Sequence, residues 1–269
     1  MRPAATVMLV RDDPDLHVFM VRRNPAVVFG PGAYVFPGGA VDPADGAASF
    51  AARVDGIDDR RASELLSRDG GGLRYWIAAA RESFEEADII LGDAPASFRS
   101  TREGLNAGTE DFARALDDHD VRLHLGGVHV FAHWLTPEGA PRRYDTWFFV
   151  AAAPEGQEGA HDESETVHSE WVRPSDALER CRSRDIELIF PTLRTLLAVS
   201  RFNRSEDLLA ATAAAQSPGA LRIVGDSSGE RVRLPGDDGL VAPQWRSLTP
   251  RLDLDLAAEA EFFAEPGVA

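Results

Sequence analysis

The chain has 269 residues, 44% of them hydrophobic and 27% charged, enough for one enlarged globular domain or one domain with a small appendage. Its formal net charge of −16 speaks against a nucleic acid or an anionic membrane as the main partner. All 28 basic residues are arginine and Cys181 is the single cysteine, which excludes a Schiff-base lysine, a lysine-bearing phosphate loop, internal disulfides and cysteine-based zinc sites.

The N-terminal MRPAATVMLV lacks the apolar stretch of a signal peptide, and no apolar run approaches the ~18 residues of a membrane span, so the expected location is the cytoplasm. Ala4–Val10 and His17–Val21 flank RDDPD, whose aspartates and proline favour a turn; the two runs read as a hairpin. Residues 24–33 hold too much Pro and Gly for regular structure, and Tyr34–Phe36 is a brief strand running into Pro37-Gly38-Gly39. Residues 43–72 read as an excursion, with an alanine-rich helical stretch, a second around 60–68, and Gly70–Gly72 as a flexible hinge. The pattern then predicts a helix over 73–87, with Tyr75, Ala78, Ala79 and Phe84 supplying apolar surface and Arg81, Glu82, Glu85 and Glu86 gathered elsewhere. A further helix is predicted over 109–119 with Thr109 as N-cap. Strands are expected at 121–135, 144–152 and 166–172, and helices at about 175–183 (Cys181 near its end), 190–201 and 205–215. LRIV and RVRL around GDSSGE read as a late hairpin, and the tail 250–269 is acidic. Strands interleaved with helices predict an α/β or α+β fold with a mixed sheet.

Two stretches carry the chemistry. Offsets of three and four place Glu82, Glu85 and Glu86 on one helix face, close enough to share a cation, and clustered carboxylates repel unless something positive lies among them. Oxygen ligands of this kind suit Mg²⁺ or Mn²⁺, with waters and a substrate phosphate completing the shell. Arg81, four residues before Glu85, is placed to orient it through a forked hydrogen bond. Taken alone, the acids also describe a solvated helix face. Gly38-Gly39 lets the backbone approach a ligand closely, although PGG alone is also a common turn.

Together, Gly39, Asp45 and RESFEEADI (81–89) resemble the Nudix box, G-x5-E-x7-R-E-U-x-E-E-x-G-U, interrupted by 28 inserted residues. A box with an insertion, preceded by a stretch similar to VRRNPAVVFGPGAYVFPGGAVDPAD (21–45) and followed by one similar to WLTPEGAPRRYDTWFF (134–149), resembles the coenzyme A and acyl-CoA diphosphatases of peroxisomal type. The resemblance covers most of residues 4–200. Three positions depart from it: Asp45 stands for Glu, Ser83 for an apolar residue, and Asp88 for the glycine that ends the helix.

The resemblance implies a Nudix α/β/α sandwich over residues 1–200 with an insertion at about 46–72. Residues 201–269 would form a helical and hairpin extension packed on the same domain. It implies Mg²⁺, with Mn²⁺ as an alternative, held by Glu82, Glu85, Glu86 and Gly39 and oriented by Arg81. The expected reaction is hydrolysis of CoA or acyl-CoA to 3′,5′-ADP and (acyl-)4′-phosphopantetheine. A general base is expected on the acidic stretch HDESETVHSEWV, where Glu165 is preferred over Glu163, Glu170 and the histidines His129 and His133. Arg22, Arg23, Arg142, Arg143 and Gly38 are candidate phosphate contacts, and Tyr34 and Phe36, with Trp134 and Trp147, candidates for an apolar trough. A small nucleoside-diphosphate substrate is the expected partner, with no nucleic acid, no membrane and a homodimer allowed. Rival readings are a diphosphatase of ADP-ribose, NADH or another nucleoside-diphosphate derivative, and a non-catalytic Nudix-fold nucleotide sensor.

Overall fold

A computed structural model describes residues 1–27, 30–136, 142–216 and the backbone of 223–224. In chain order, β1 (Arg2–Asp12) and β2 (Leu16–Arg23) form the N-terminal hairpin, followed by β3 (Tyr34–Val35) and β4 (Gly38–Ala40). The insertion contributes two 3-10 turns, β5 (Val54–Asp55) and α1 (Asp59–Leu65), before α2 (Leu73–Ala87). Next come β6 (Gly92–Asp93), α3 (Arg102–Asn106), α4 (Phe112–Asp118), β7 (Arg122–His124), β8 (His129–Leu135), β9 (Tyr144–Ala152) and β10 (Thr166–Val172). The remaining elements are α5 (Pro174–Arg182), α6 (Phe190–Val199), α7 (Ser205–Ala214) and β11 (Ile223–Val224).

The main sheet runs β10-β2-β1-β9-β8-β11, with β3 beside β2 and β4 beside β1. Central β1 pairs with β9 in parallel and with β2 and β4 antiparallel, so the sheet is mixed as expected. Val7–Val10 is buried as a continuous run rather than in alternation, because helices cover both faces of this strand. Alternation along β9 sorts the two sides. Phe149 meets Trp76 of α2 at 4.7 Å, while Phe148 meets Trp134, which in turn packs edge-on to Phe190 of α6. Trp76 is fully buried and its indole N–H donates to Val128 O at 2.8 Å, so truncating it to Ala would cost roughly 3–5 kcal/mol. These contacts seat α2 on one face, with α6 and α7 on the other.

Several boundaries differ from those read in the sequence. The segment 121–135 is two strands: Gly126-Gly127 breaks it, and β7 joins β5 and β6 in a separate three-stranded sheet. The break admits close backbone approach, since a Cβ on Gly56 would fall 2.5 Å from the Gly126 Cα. The helix predicted from Thr109 starts later, because the Asp111 carboxylate caps it by accepting from Arg114 N while Thr109 Oγ1 donates back to Gly104 O. Gly70–Gly72 is a tethered turn rather than a flexible hinge. Asp59 accepts from the amides of Gly71 and Leu73, and Gly72 N donates to Ser63 Oγ. A Cβ on Gly72 would lie 2.3 Å from Ser63 N. Of the late hairpin, only the Ile223–Val224 backbone is described, pairing in parallel with β8; the rest of it and the tail 250–269 lie outside the described residues. Among those residues, no helix is long and apolar enough to cross a membrane.

Candidate active site

The two halves of the interrupted box meet. Antiparallel pairing of β4 with β1 sets Gly38 opposite Thr6 and Gly39 opposite Ala5, beneath α2. Gly38 N donates to Glu86 Oε2 at 2.8 Å, and a Cβ on Gly39 would fall 2.4 Å from Glu82 Oε1. A Cβ on Gly38 would collide with Ala5 O and Thr6 at 2.6 Å. Gly38 is therefore required by close approach to the β1 backbone, whereas at Gly39 the close neighbour is the end of the Glu82 side chain.

Arg81 ties the acids together. Its Nε and Nη2 donate to Asp45 Oδ1 and Oδ2 at 2.9 and 3.1 Å, and Nη2 also donates to Ala40 O at 2.9 Å. Its Nη1 donates to Glu82 Oε1 at 2.9 Å and to Glu85 Oε2 at 2.7 Å. Asp45, shorter than the usual glutamate, still reaches the guanidinium in a two-pronged pair, because its 3-10 turn carries it inward and Asp42 N donates to Oδ2. Asp88 adopts the left-handed conformation that glycine usually supplies, φ 55°, and closes a Schellman-type turn while pairing with Arg99. Ser83, fully buried, donates to Ile89 O and seals the same turn.

The carboxyls here are crowded and deprived of water. Burial, with the charges of Glu85 and Asp45 added, raises Glu82 to about 7 against the pull of Arg81. Burial and then the Glu82 charge push Glu86 well above the ordinary range, opposed by the Gly38 amide and Arg23. Glu85 is raised chiefly by burial, with Arg81 opposing and the charges of Asp45 and Glu165 adding to it. Such a group favours its protonated form unless positive charge joins it. Among the described residues, no three acid, imidazole or thiolate groups stand ready as a metal shell, because Arg81 Nη1 lies between Glu82 and Glu85 while Glu86 turns to Gly38. The donors nonetheless fit a hard divalent cation: they are all oxygen, and burial together with their mutual repulsion holds them at raised pKa, which a bound cation would offset.

Around this cluster, Arg23 acts electrostatically on Glu86, and Glu165 on both Glu85 and Glu86. Glu165 is exposed, but its backbone is fixed, since Asn24 N donates to Glu165 O and Asn24 Nδ2 to Ser164 O. Asp162 gathers the amides of Glu165 and Thr166 and the hydroxyls of Ser164 and Thr166. Burial raises the Asp162 carboxyl, but these hydrogen bonds outweigh it and hold the group below its ordinary value.

Other candidates lie elsewhere. Arg22 pairs with Tyr34 and His168, on the sheet face opposite the one Arg23 occupies, and donates to Gly32 O. Tyr34 packs against His168 and Arg180 of α5. Phe36, 2% exposed, is a core residue edge-on to Phe148, and Trp134 and Trp147 are buried as well. All four aromatics expected to line an apolar trough are buried. Arg143 donates to Thr136 O at the base of the β8–β9 connection, and Arg142 is exposed beside it. His133 is buried, bonded to Asp145 and stacked on Trp147 at 3.8 Å, whereas burial lowers the half-buried His129. Sequence reading missed Asp162, Asn24 and Arg102. The first lies three residues before Glu165, the spacing at which an Asp carboxylate accepts a backbone amide as a helix N-cap does; the other two carry no local signal.

A family model described as the NUDT19 Nudix domain matches residues 58–199, which include α2 and the acidic loop but begin after Gly38-Gly39. Acyl-coenzyme A diphosphatase NUDT19 of Homo sapiens is 28% identical over 236 residues, 71% of this chain and 62% of that protein. The Gallus gallus protein of the same name is 28% identical over 264 residues, 77% of this chain and 70% of its own. The chain therefore spans less than two thirds of the human relative's length. A solved Nudix hydrolase from Alicyclobacillus acidocaldarius superposes with a TM-score of 0.65 at 27% identity, covering 78% of this chain and 96% of the other.

Proposed function

The chain belongs to the NUDT19 Nudix family, and on that premise we propose that it hydrolyses the diphosphate linkage of CoA or an acyl-CoA to 3′,5′-ADP and (acyl-)4′-phosphopantetheine. The observation that carries the proposal is the junction of Gly38-Gly39 with Glu82 and Glu86 across a long insertion. A pure nucleotide binder has no use for crowded, mutually repelling acids at that junction.

Glu82, Glu85 and Glu86 are the residues that would hold Mg²⁺, or Mn²⁺, whose chemistry there is to neutralise the diphosphate and acidify a water. Arg81, braced by Asp45, orients Glu82 and Glu85. Arg23 offers a guanidinium to a phosphate beside Glu86. Glu165 takes the proton of the attacking water. The water oxygen joins one phosphorus as the bridging P–O bond breaks, so two monophosphates leave.

The CoA assignment rests on the relatives named acyl-CoA diphosphatases. Product analysis by mass spectrometry across CoA, acetyl-CoA, dephospho-CoA, ADP-ribose and NADH with Mg²⁺ tests it. Expected is a kcat/KM for CoA or acetyl-CoA at least ~10-fold above that for ADP-ribose, a difference of about 1.4 kcal/mol. Preference for ADP-ribose or NADH would leave the diphosphatase chemistry and remove CoA.

A further inference from the structure

Arg102 belongs to neither half of the box nor to the acidic stretch. It opens α3, in the segment between β6 and β7 of the small three-stranded sheet, yet its guanidinium reaches the catalytic end of α2. Nε donates to Glu85 O at 3.0 Å, and Nη2 donates to Ala160 O at 2.7 Å. Asn106, one turn further along α3, adds a second donor to Glu85 O at 3.3 Å. The circuit closes through the backbone, because Ala160 N donates to Ala87 O at 2.8 Å. From Ala160 the chain runs directly into the Asp162-centred turn that sets the Glu165 backbone. The side chain is more than half buried, and the charges of Asp88, Asp162 and Glu86 all act on it.

We propose that Arg102 is a positioning residue: by bridging the Glu85 carbonyl of α2 to the Ala160 carbonyl, it fixes the loop carrying Glu165 against the helix carrying Glu85 and Glu86. This rests on the reading of Glu165 as the base. Asn24 holds the Glu165 end of the 160–165 turn against β2, and Arg102 holds its Ala160 end against α2, so the exposed Glu165 side chain is placed relative to Glu85 and Glu86 by both tethers. The bridge also gives the segment after the box a role, since Arg102 adds side-chain donors to both carbonyls beside the direct Ala160 N to Ala87 O bond. The planar guanidinium presents Nε and Nη2 to the two carbonyls in fixed geometry; lysine keeps the charge and donors but not that spacing.

Two measurements on Arg102→Ala and Arg102→Lys test the proposal. Hydrogen exchange reads the clamp without reference to activity. The amides of Ala160, Glu165 and Thr166 should exchange ~10-fold faster in Arg102→Ala, while those of the β1–β9 ladder stay protected. Kinetics on wild-type substrate should show kcat reduced ~10-fold or more, with KM and the half-saturating Mg²⁺ concentration unchanged. Methylguanidinium should restore part of the loss in Arg102→Ala, and Arg102→Lys should fall between. In the double variant with Glu165→Gln, the loss should equal that of Glu165→Gln alone, because both changes remove one function. Unchanged exchange at Ala160, a loss that multiplies with Glu165→Gln, or a raised Mg²⁺ requirement at constant kcat would each overturn the proposal. Wild-type turnover by Glu165→Gln itself would overturn the base assignment, and with it the positioning role, even where exchange shows the clamp intact. Absence of any diphosphatase activity in the wild-type chain would instead defeat the function reading, with the exchange result still deciding whether the clamp exists.

Discussion

Removing Arg81 should unfold the site before it touches any substrate. The guanidinium makes contacts to Asp45, Glu82, Glu85 and Ala40 O, with side-chain exposures of 14% for Arg81 and 2% for Asp45. Arg81→Ala leaves Asp45 buried without its partner, and breaking such a pair costs about 3–5 kcal/mol. Asp45 limits the damage by taking a proton, since burial already raises it against the pull of Arg81. The lower end, about 3 kcal/mol, is therefore expected near neutral pH. The sign of the pH effect follows. A carboxyl raised in the folded state binds its proton more tightly there than in the unfolded chain, so its stabilising contribution is present in acid and lost as pH rises through the folded value. The penalty of Arg81→Ala should thus shrink on acidification. Arg81→Lys keeps a charge but loses the fork on Asp45, and should cost about 1.5–3 kcal/mol. Urea unfolding of the three proteins without added metal, read as midpoint and slope, measures all of this. A loss below about 1 kcal/mol for Arg81→Ala, or a lysine variant as stable as wild type, would refute the view of this knot as a buried, forked ion pair.

Glu85→Gln and Glu86→Gln should each lower kcat by two orders of magnitude or more, on the order of ~3 kcal/mol of lost transition-state electrostatics, while urea midpoints hold or rise because a repelling buried charge is gone. Near-wild-type turnover at saturating Mg²⁺ would remove that residue from the site. Gly39→Ala should depress kcat with little change in thermal midpoint, because the new methyl meets the Glu82 carboxylate 2.4 Å away and the side chain gives way before the strand does. Unaltered kinetics would show that Glu82 is free to move. Asp162→Asn should loosen the Glu165 turn at neutral pH. Because the Asp162 carboxyl is held below its ordinary 3.8, its contribution is present above that value and lost as pH falls through the folded one, so wild type and variant should converge in strong acid. A gap that is constant with pH, by urea unfolding, would contradict the assignment.

The box was legible because its chemistry is periodic. Three- and four-residue spacing puts Glu82, Glu85 and Glu86 on one face, and with Gly39 they resemble the Nudix box, so the two halves could be joined although residues 46–78 separate them. The hairpin, the long α2 and a mixed sheet interleaved with helices followed from hydrophobic patterning, and helices on both faces of the sheet from the resemblance to the Nudix fold. Patterning has no term for what covers a face, however. Phe36, Trp134 and Trp147 were candidates for a ligand-facing trough in the sequence, and only the fold shows that they are buried. Arg22 and Arg23 are adjacent and identical in the sequence, yet strand alternation sends only Arg23 toward Glu86. Gly126-Gly127 reads as a detail of a strand until β7 is seen pairing with β5 and β6 in another sheet. Asp45 in place of glutamate raised a question of reach that a 3-10 turn answers, and Arg102 has no signal at all until α3 folds back onto α2. Short-range spacing, read with the resemblance to the Nudix box, therefore singled out the candidate residues. Long-range packing decided which of them face one another, because contacts such as Gly38 to Glu86 or Arg102 to Ala160 join segments whose separation along the chain is unrelated to their distance in space.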